Sequence, residues 1–146
     1  MLWAPSSAVA AAVTPRFASL TAAEVNVRAG PGLRYPIRWV FLRRHMPVEI
    51  IGDYELWRKI RDWQGAEGWV HQTLLSQRRT VLVTAPRTPL RRSSAATVEV
   101  RVWLSVGVVA LLRACEPIWC RVSVGKYDGW LQRSAVWGLY PGEEVN

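Results

Sequence analysis

The chain is predicted to be all-β and to fold as two small barrels in tandem, about sixty residues each by the period of its own internal repeat. Three observations lead there. Landmark motifs recur at nearly one spacing, and the apolar residues fall in short β-prone runs with no amphipathic helix between them. Half of the 146 residues are apolar and about a fifth charged, a composition that supports packed cores.

The repeat is read from three landmarks in the same order. Trp57-Arg-Lys-Ile60 is echoed by Trp119-Cys-Arg-Val122, 62 residues on. Gly68-Trp69-Val70 is echoed by Gly129-Trp130-Leu131, 61 residues on, and Val27-Arg28 by Leu90-Arg91, 63 residues on. This divides the chain into a signal-peptide remnant or disordered N-terminus at 1–16, a first barrel at 17–78, a linker with the first strand of the second repeat at 79–89, a second barrel at 90–142, and a frayed tail at 143–146. Pro86 and Pro89 punctuate the joint. Trp137 to Gly142 is aromatic enough to pack back on a barrel.

Within the first copy, Glu24-Val-Asn-Val-Arg28 alternates apolar and polar and reads as a strand. Gly30-Pro31-Gly32 and Tyr35-Pro36 then interrupt the chain as a long irregular loop. Arg38 to Leu42 is a continuous β-prone run, Pro47 to Ile51 alternates again, and Trp57 to Ile60 makes a fourth strand. A tight turn at Gln64 to Glu67 leads to a fifth strand, Gly68 to His71. Residues three apart on a strand face opposite ways, so Trp57 and Ile60 do not both fill the core, and Ile60 with its counterpart Val122 is the core pair. Trp69 and Val70 divide in the same way, as do Trp130 and Leu131.

Nine tryptophans are spread from position 3 to position 137 rather than clustered. The net charge is +8, almost all from arginine, since Lys59 and Lys126 are the only lysines. Such a balance attracts anionic partners such as nucleic acid, headgroups or an acidic polymer; a solvated arginine-rich surface is the other reading. Arg78, Arg79, Arg87, Arg91 and Arg92 form a basic stretch across the joint.

Cys115 and Cys120 are too few and too far from His45 and His71 in sequence for a zinc site, and their spacing is not that of a Cys-x-x-Cys redox motif. If they flank a hairpin loop, their Cα atoms lie near the roughly 5.5 Å of a disulfide. A disulfide between them, and an oxidising compartment, are expected. Ser7-Ala8-Val9-Ala10 has the small residues of a secretory cleavage site, though Pro5 interrupts the apolar run and no positive segment precedes it. Export to the periplasm or beyond is the preferred reading, with the cytoplasm as alternative. Val102 to Leu112 is too short to span a membrane.

Val25-Asn-Val-Arg-Ala-Gly-Pro-Gly32, Tyr35-Pro36, Trp57-Arg-Lys-Ile60 and Glu67-Gly-Trp-Val-His71 together resemble the bacterial SH3-type domain, SH3b. The match spans the whole first copy, with four motifs in the family's order. The second copy keeps Leu90-Arg91, Trp119-Cys-Arg-Val122 and Gly129-Trp130, but Arg92 to Thr97 replaces the Gly-Pro-Gly loop and no Tyr-Pro follows. The resemblance implies two tandem SH3-like barrels of five to seven strands, an extracytoplasmic location, and association with peptidoglycan or with cell-wall hydrolases.

Catalysis is not expected. No nucleophile elbow, phosphate-binding glycine loop or metal-ligand cluster is present, and both cysteines fall in the second copy while both histidines fall in the first. Asp62 and Glu67 flank a turn, where solvated carboxylates are usual. No cofactor and no metal are expected. A binding protein is the favoured reading, its partner peptidoglycan or another envelope component. Arg28, Tyr35, Pro36, Trp39, Trp63 and Trp69 are the candidate ligand contacts, since aromatic faces with a few polar groups between them hold extended ligands. Tyr35 as a loop anchor, Trp69 as packing, and Arg28 in an internal salt bridge are the competing readings. Nucleic-acid binding in the cytoplasm and a structural adaptor for an envelope enzyme are the alternatives.

Overall fold

The computed structural model describes residues 14–94 and 99–146, so most of the expected N-terminal remnant at 1–16 lies outside the described residues. Alternation sets the first barrel. Val25 and Val27 are fully buried while Asn26 and Arg28 between and beyond them reach solvent, giving β2 (Val25–Arg28) an inner and an outer face. β3 (Ile37–Phe41), β4 (Pro47–Tyr54), β5 (Trp57–Arg61) and β6 (Glu67–His71) follow the five strands expected from sequence, and two short strands are added at one edge, β1 (Arg16–Leu20) and β7 (Leu75–Ser76). β7 is too short for its periodicity to be readable, and β1 carries Ala18 and Ser19 where a longer strand signal would have large apolar residues.

The second copy repeats this with β8 (Thr80–Val83), β9 (Arg87–Arg91), β10 (Val100–Ser105), β11 (Val109–Cys115), β12 (Trp119–Val124), β13 (Tyr127–Gln132) and β14 (Val136–Trp137). The two seven-stranded sheets have the same order, β3-β2-β6-β5-β4-β1-β7 and β10-β9-β13-β12-β11-β8-β14, with every pairing antiparallel. Ile60, Val70, Val122 and Leu131 are fully buried, and Trp57, Trp69, Trp119 and Trp130 are half-buried on the other face, as the period-two argument requires. Residues 79–89, read from sequence as linker and first strand, hold all of β8 and the start of β9.

The disulfide joins Cys115 to Cys120, the last registered pair of the β11–β12 hairpin. Their Cα atoms are 4.1 Å apart, closer than the sequence argument supposed. The Cys115 N–H points away from β12 to the Val145 carbonyl at 2.7 Å, so the two cysteines face each other at a non-hydrogen-bonded position, where antiparallel strands approach most closely. The loop closed is short, so replacing both cysteines by alanine is expected to cost about 2 kcal/mol by loop-closure entropy. Urea titration of oxidised and alanine-substituted protein checks this, and coincident midpoints would count against it.

The barrels are joined along β8. Its alternation sends Val81 and Val83 into the second core and Leu82 into the first, beside Leu20, Met46 and Val48. On one side of this strand Thr80 Oγ1 donates to the His45 carbonyl at 2.6 Å, and Ser19 Oγ donates to the Arg78 carbonyl at 2.6 Å. On the other, the segment 137–142 packs back as expected, and onto the first barrel: Phe17 meets the Trp137 ring at 5.2 Å and the Tyr140 ring at 4.6 Å. Tyr140 Oη donates to Glu49 at 2.7 Å; burial, then the hydrogen bond to this carboxylate, push the phenol above its ordinary pKa.

The tail at 143–146, expected to fray, is instead tied down at two points. Glu143 accepts from both terminal nitrogens of Arg79 at 2.7 and 2.9 Å, which holds its carboxyl below the usual range, and Val145 bridges to Cys115. Arg79 itself, read from sequence as part of a linker, is half-buried over the Phe17 ring.

Candidate functional site

The irregular loop at 29–36 is a built structure rather than a slack connection. The Ala29 N–H bonds to the Pro36 carbonyl at 2.9 Å, closing the loop at its base, and the Tyr35 N–H bonds to the Gly32 carbonyl at 3.2 Å. Arg28 reaches in from the end of β2, its Nη1 donating to the carbonyls of Leu33 at 3.2 Å and Tyr35 at 3.0 Å. The Tyr35 ring lies directly on Gly30, where a Cβ would come within 2.5 Å of it, so only glycine admits the ring at that position. Tyr35 is therefore an anchor of the loop, and Arg28 is its clamp rather than half of an internal salt bridge.

Around this frame the other sequence candidates separate. Trp69 stands on the outer face of β6 with Arg28 and Lys59 as its cross-strand neighbours. Pro36 is exposed at the loop's end. Trp63 is 38% exposed on the β5–β6 turn, which Asp62 shapes by accepting from the N–H groups of Gln64 at 3.0 Å and Ala66 at 2.8 Å. Asp62 is thus a buried turn-former, not a solvated charge. Glu67 is paired with Arg61 at 3.1 Å and Lys59 at 3.6 Å, and the Arg61 hydrogen bond holds its carboxyl below the usual range.

Trp39 packs inward. Its ring covers the first core, meets Phe41 edge to face at 5.7 Å, and would touch a Cβ placed on Gly68 at 3.3 Å. Its buried Nε1 has no hydrogen-bond partner. Sequence reasoning passed over Leu33 and Ile37, 77% and 46% exposed beside the anchored tyrosine, because single apolar residues in a loop carry no periodic signal.

The second barrel repeats the outer-face arrangement. Trp130 lies between Arg91 and Arg121 across three strands, as Trp69 lies between Arg28 and Lys59. The counterpart of the loop runs through 92–99, of which 95–98 lie outside the described residues; its Arg92 N–H bonds to the Glu99 carbonyl at 3.3 Å. Trp103 on β10 is 47% exposed beneath the Arg87 guanidinium, 4.1 Å from the ring centroid.

A family model described as the bacterial SH3 domain matches residues 21–77 and again residues 84–138. No curated protein matches the chain in sequence. Among solved structures, NlpC2 from Trichomonas vaginalis is similar at 13% identity with a TM-score of 0.39, over 85% of this chain and 48% of that one. NlpC1 from the same organism is similar at 15% identity with a TM-score of 0.36, over 93% of this chain and 50% of that one. The chain thus spans about half the length of these structures.

Proposed function

This chain belongs to the bacterial SH3 domain family, and from that membership we propose that it is a non-catalytic binding protein of the cell envelope whose first barrel recognises peptidoglycan. One observation carries the assignment to the first barrel. Its loop is braced by Arg28 and by Tyr35 packed on Gly30, and it presents exposed apolar surface at Leu33 and Ile37. A loop ordered before binding loses little entropy when a ligand arrives. Pro36, Trp63 and Trp69 supply the remaining apolar faces, while Arg28 holds the loop through the Leu33 and Tyr35 carbonyls. The disulfide favours a periplasmic or secreted setting, where it persists.

The test is retention of the oxidised protein on insoluble peptidoglycan across a salt series. Tyr35 and Trp39 are poor choices for substitution, since one anchors the loop and the other covers the core. Leu33→Ser with Trp63→Ala alters exposed side chains only, and is expected to lower affinity about tenfold with the fold intact. Equal retention of variant and parent would remove the first-barrel face from the reading. The net charge of +8 supports a second reading, nucleic-acid binding, which requires a steep fall of affinity with salt in a mobility-shift assay.

A further inference from the structure

Where the barrels meet, the chain forms a cleft of about 370 Å³ whose walls come from both copies. Arg43, Arg44 and His45 enter from the β3–β4 loop, Arg78 from the joint, and Arg113 from β11, while Val109 and Leu111 provide apolar lining. Four arginines line this space with no carboxylate among the lining residues. Elsewhere, Arg61 pairs with Glu49 and Glu67, and Arg79 with Glu143. Among the described residues none of the four cleft arginines has an ion-pair partner.

The loop that supplies Arg43, Arg44 and His45 is tied to both barrels. His45 holds a left-handed backbone at φ 67°, an uncommon conformation for a residue with a side chain. It is kept there by its N–H bonding to the Leu20 carbonyl at 2.9 Å and by its carbonyl accepting from the buried Thr80 hydroxyl of the second barrel at 2.6 Å. Arg43 Nη1 donates to the Gly107 carbonyl, a second tie from this loop to the other barrel. Arg113 is steadied by Nε donating to Ser123 Oγ at 3.0 Å, a bond that uses neither of its terminal nitrogens.

We propose that this cleft between the barrels binds a phosphate ester, with the phosphate among the guanidiniums and the organic part against Val109 and Leu111. Guanidinium forks match phosphate oxygens in pairs, and a doubly charged anion relieves the mutual repulsion of four clustered cations. The volume suits one small esterified phosphate. No tryptophan, tyrosine or phenylalanine is among its lining residues, so it offers none of the stacking platforms that hold single-stranded nucleic acid. The site is separate from the first-barrel loop and does not depend on the peptidoglycan reading.

Calorimetric titration of the full oxidised chain with inorganic phosphate, glycerol 3-phosphate and a short single-stranded oligonucleotide tests it. Saturable binding of one glycerol 3-phosphate, tighter than inorganic phosphate, is expected. Arg44→Gln with Arg113→Gln is expected to weaken it at least about tenfold, the scale of losing one charge-assisted contact. Arg101→Gln with Arg121→Gln removes the same charge from exposed strand positions outside the cleft and is expected to leave affinity unchanged. Equal weakening by both pairs would reduce the effect to overall charge and overturn the site. So would the absence of saturable phosphate binding. Tighter binding of the oligonucleotide, lost in the cleft variant, would overturn it in favour of nucleic acid. Unchanged near-ultraviolet circular dichroism separates lost binding from lost folding.

Discussion

Gly129→Ala is expected to destabilise the protein by about 3 kcal/mol, at the upper end of the usual cost of overpacking. Gly129 lies on β13 opposite Val122, and a Cβ there would come within 2.6 Å of the Arg91 carbonyl oxygen and 2.8 Å of Leu90 Cγ. The first of these is main chain. It cannot rotate away, so β9 would have to retreat from β13, to which it is registered through Trp130 and Arg91. The counterpart, Gly68, meets Val27 Cγ1 at 2.4 Å and the Arg28 carbonyl at 3.1 Å, and the same substitution there is expected to be costly as well. Gly32→Ala is the control, since its nearest neighbour is the Tyr35 ring at 3.5 Å, an ordinary contact. Guanidinium titration reads all three. A Gly129→Ala midpoint indistinguishable from that of Gly32→Ala would show that the close approach of the two strands is not a constraint.

Leu82→Ala is expected to cost a similar amount, about 3 kcal/mol, and to weaken the barrel to which it does not belong. Leu82 is 2% exposed on a strand of the second sheet, yet its side chain completes the core of the first. Truncation leaves a cavity among Leu20, Met46 and Val48 that neighbouring strands cannot readily close. Native-state hydrogen exchange locates the damage. Amide protection should fall on β1 and β4 of the first barrel, whereas Val83→Ala, one position on and facing the other way, should act on the second. Loss of protection confined to the second barrel in both variants would separate Leu82 from the first core.

The candidate site was legible in part. The loop at 29–36 is announced by its glycines and prolines, and the motif containing Arg28 and Tyr35 marks it as special. Which of those side chains build the loop and which face outward is not written locally. Arg28 bonds to carbonyls five and seven residues away, and Tyr35 reaches back to Gly30, so both are consumed in shaping the backbone. Trp39 looked like a ligand contact because it stands near Tyr35 in sequence, but the space over Gly68 draws its ring onto the core.

The all-β class, the duplication and the inward and outward faces of the strands are legible in the sequence, and the pairing of Cys115 with Cys120 is expected from it, while the hairpin that brings them together is seen in the fold. What is legible in the sequence follows from a period of two or from spacing along one chain segment, which are local properties. The relation between the copies is not legible there. Leu82 crosses into the first core, the His45 carbonyl accepts from Thr80 35 positions away, and Tyr140 bonds to Glu49 91 positions away. Contacts at such separations depend on how two finished surfaces dock, and no repeat or alternation within either copy encodes that docking.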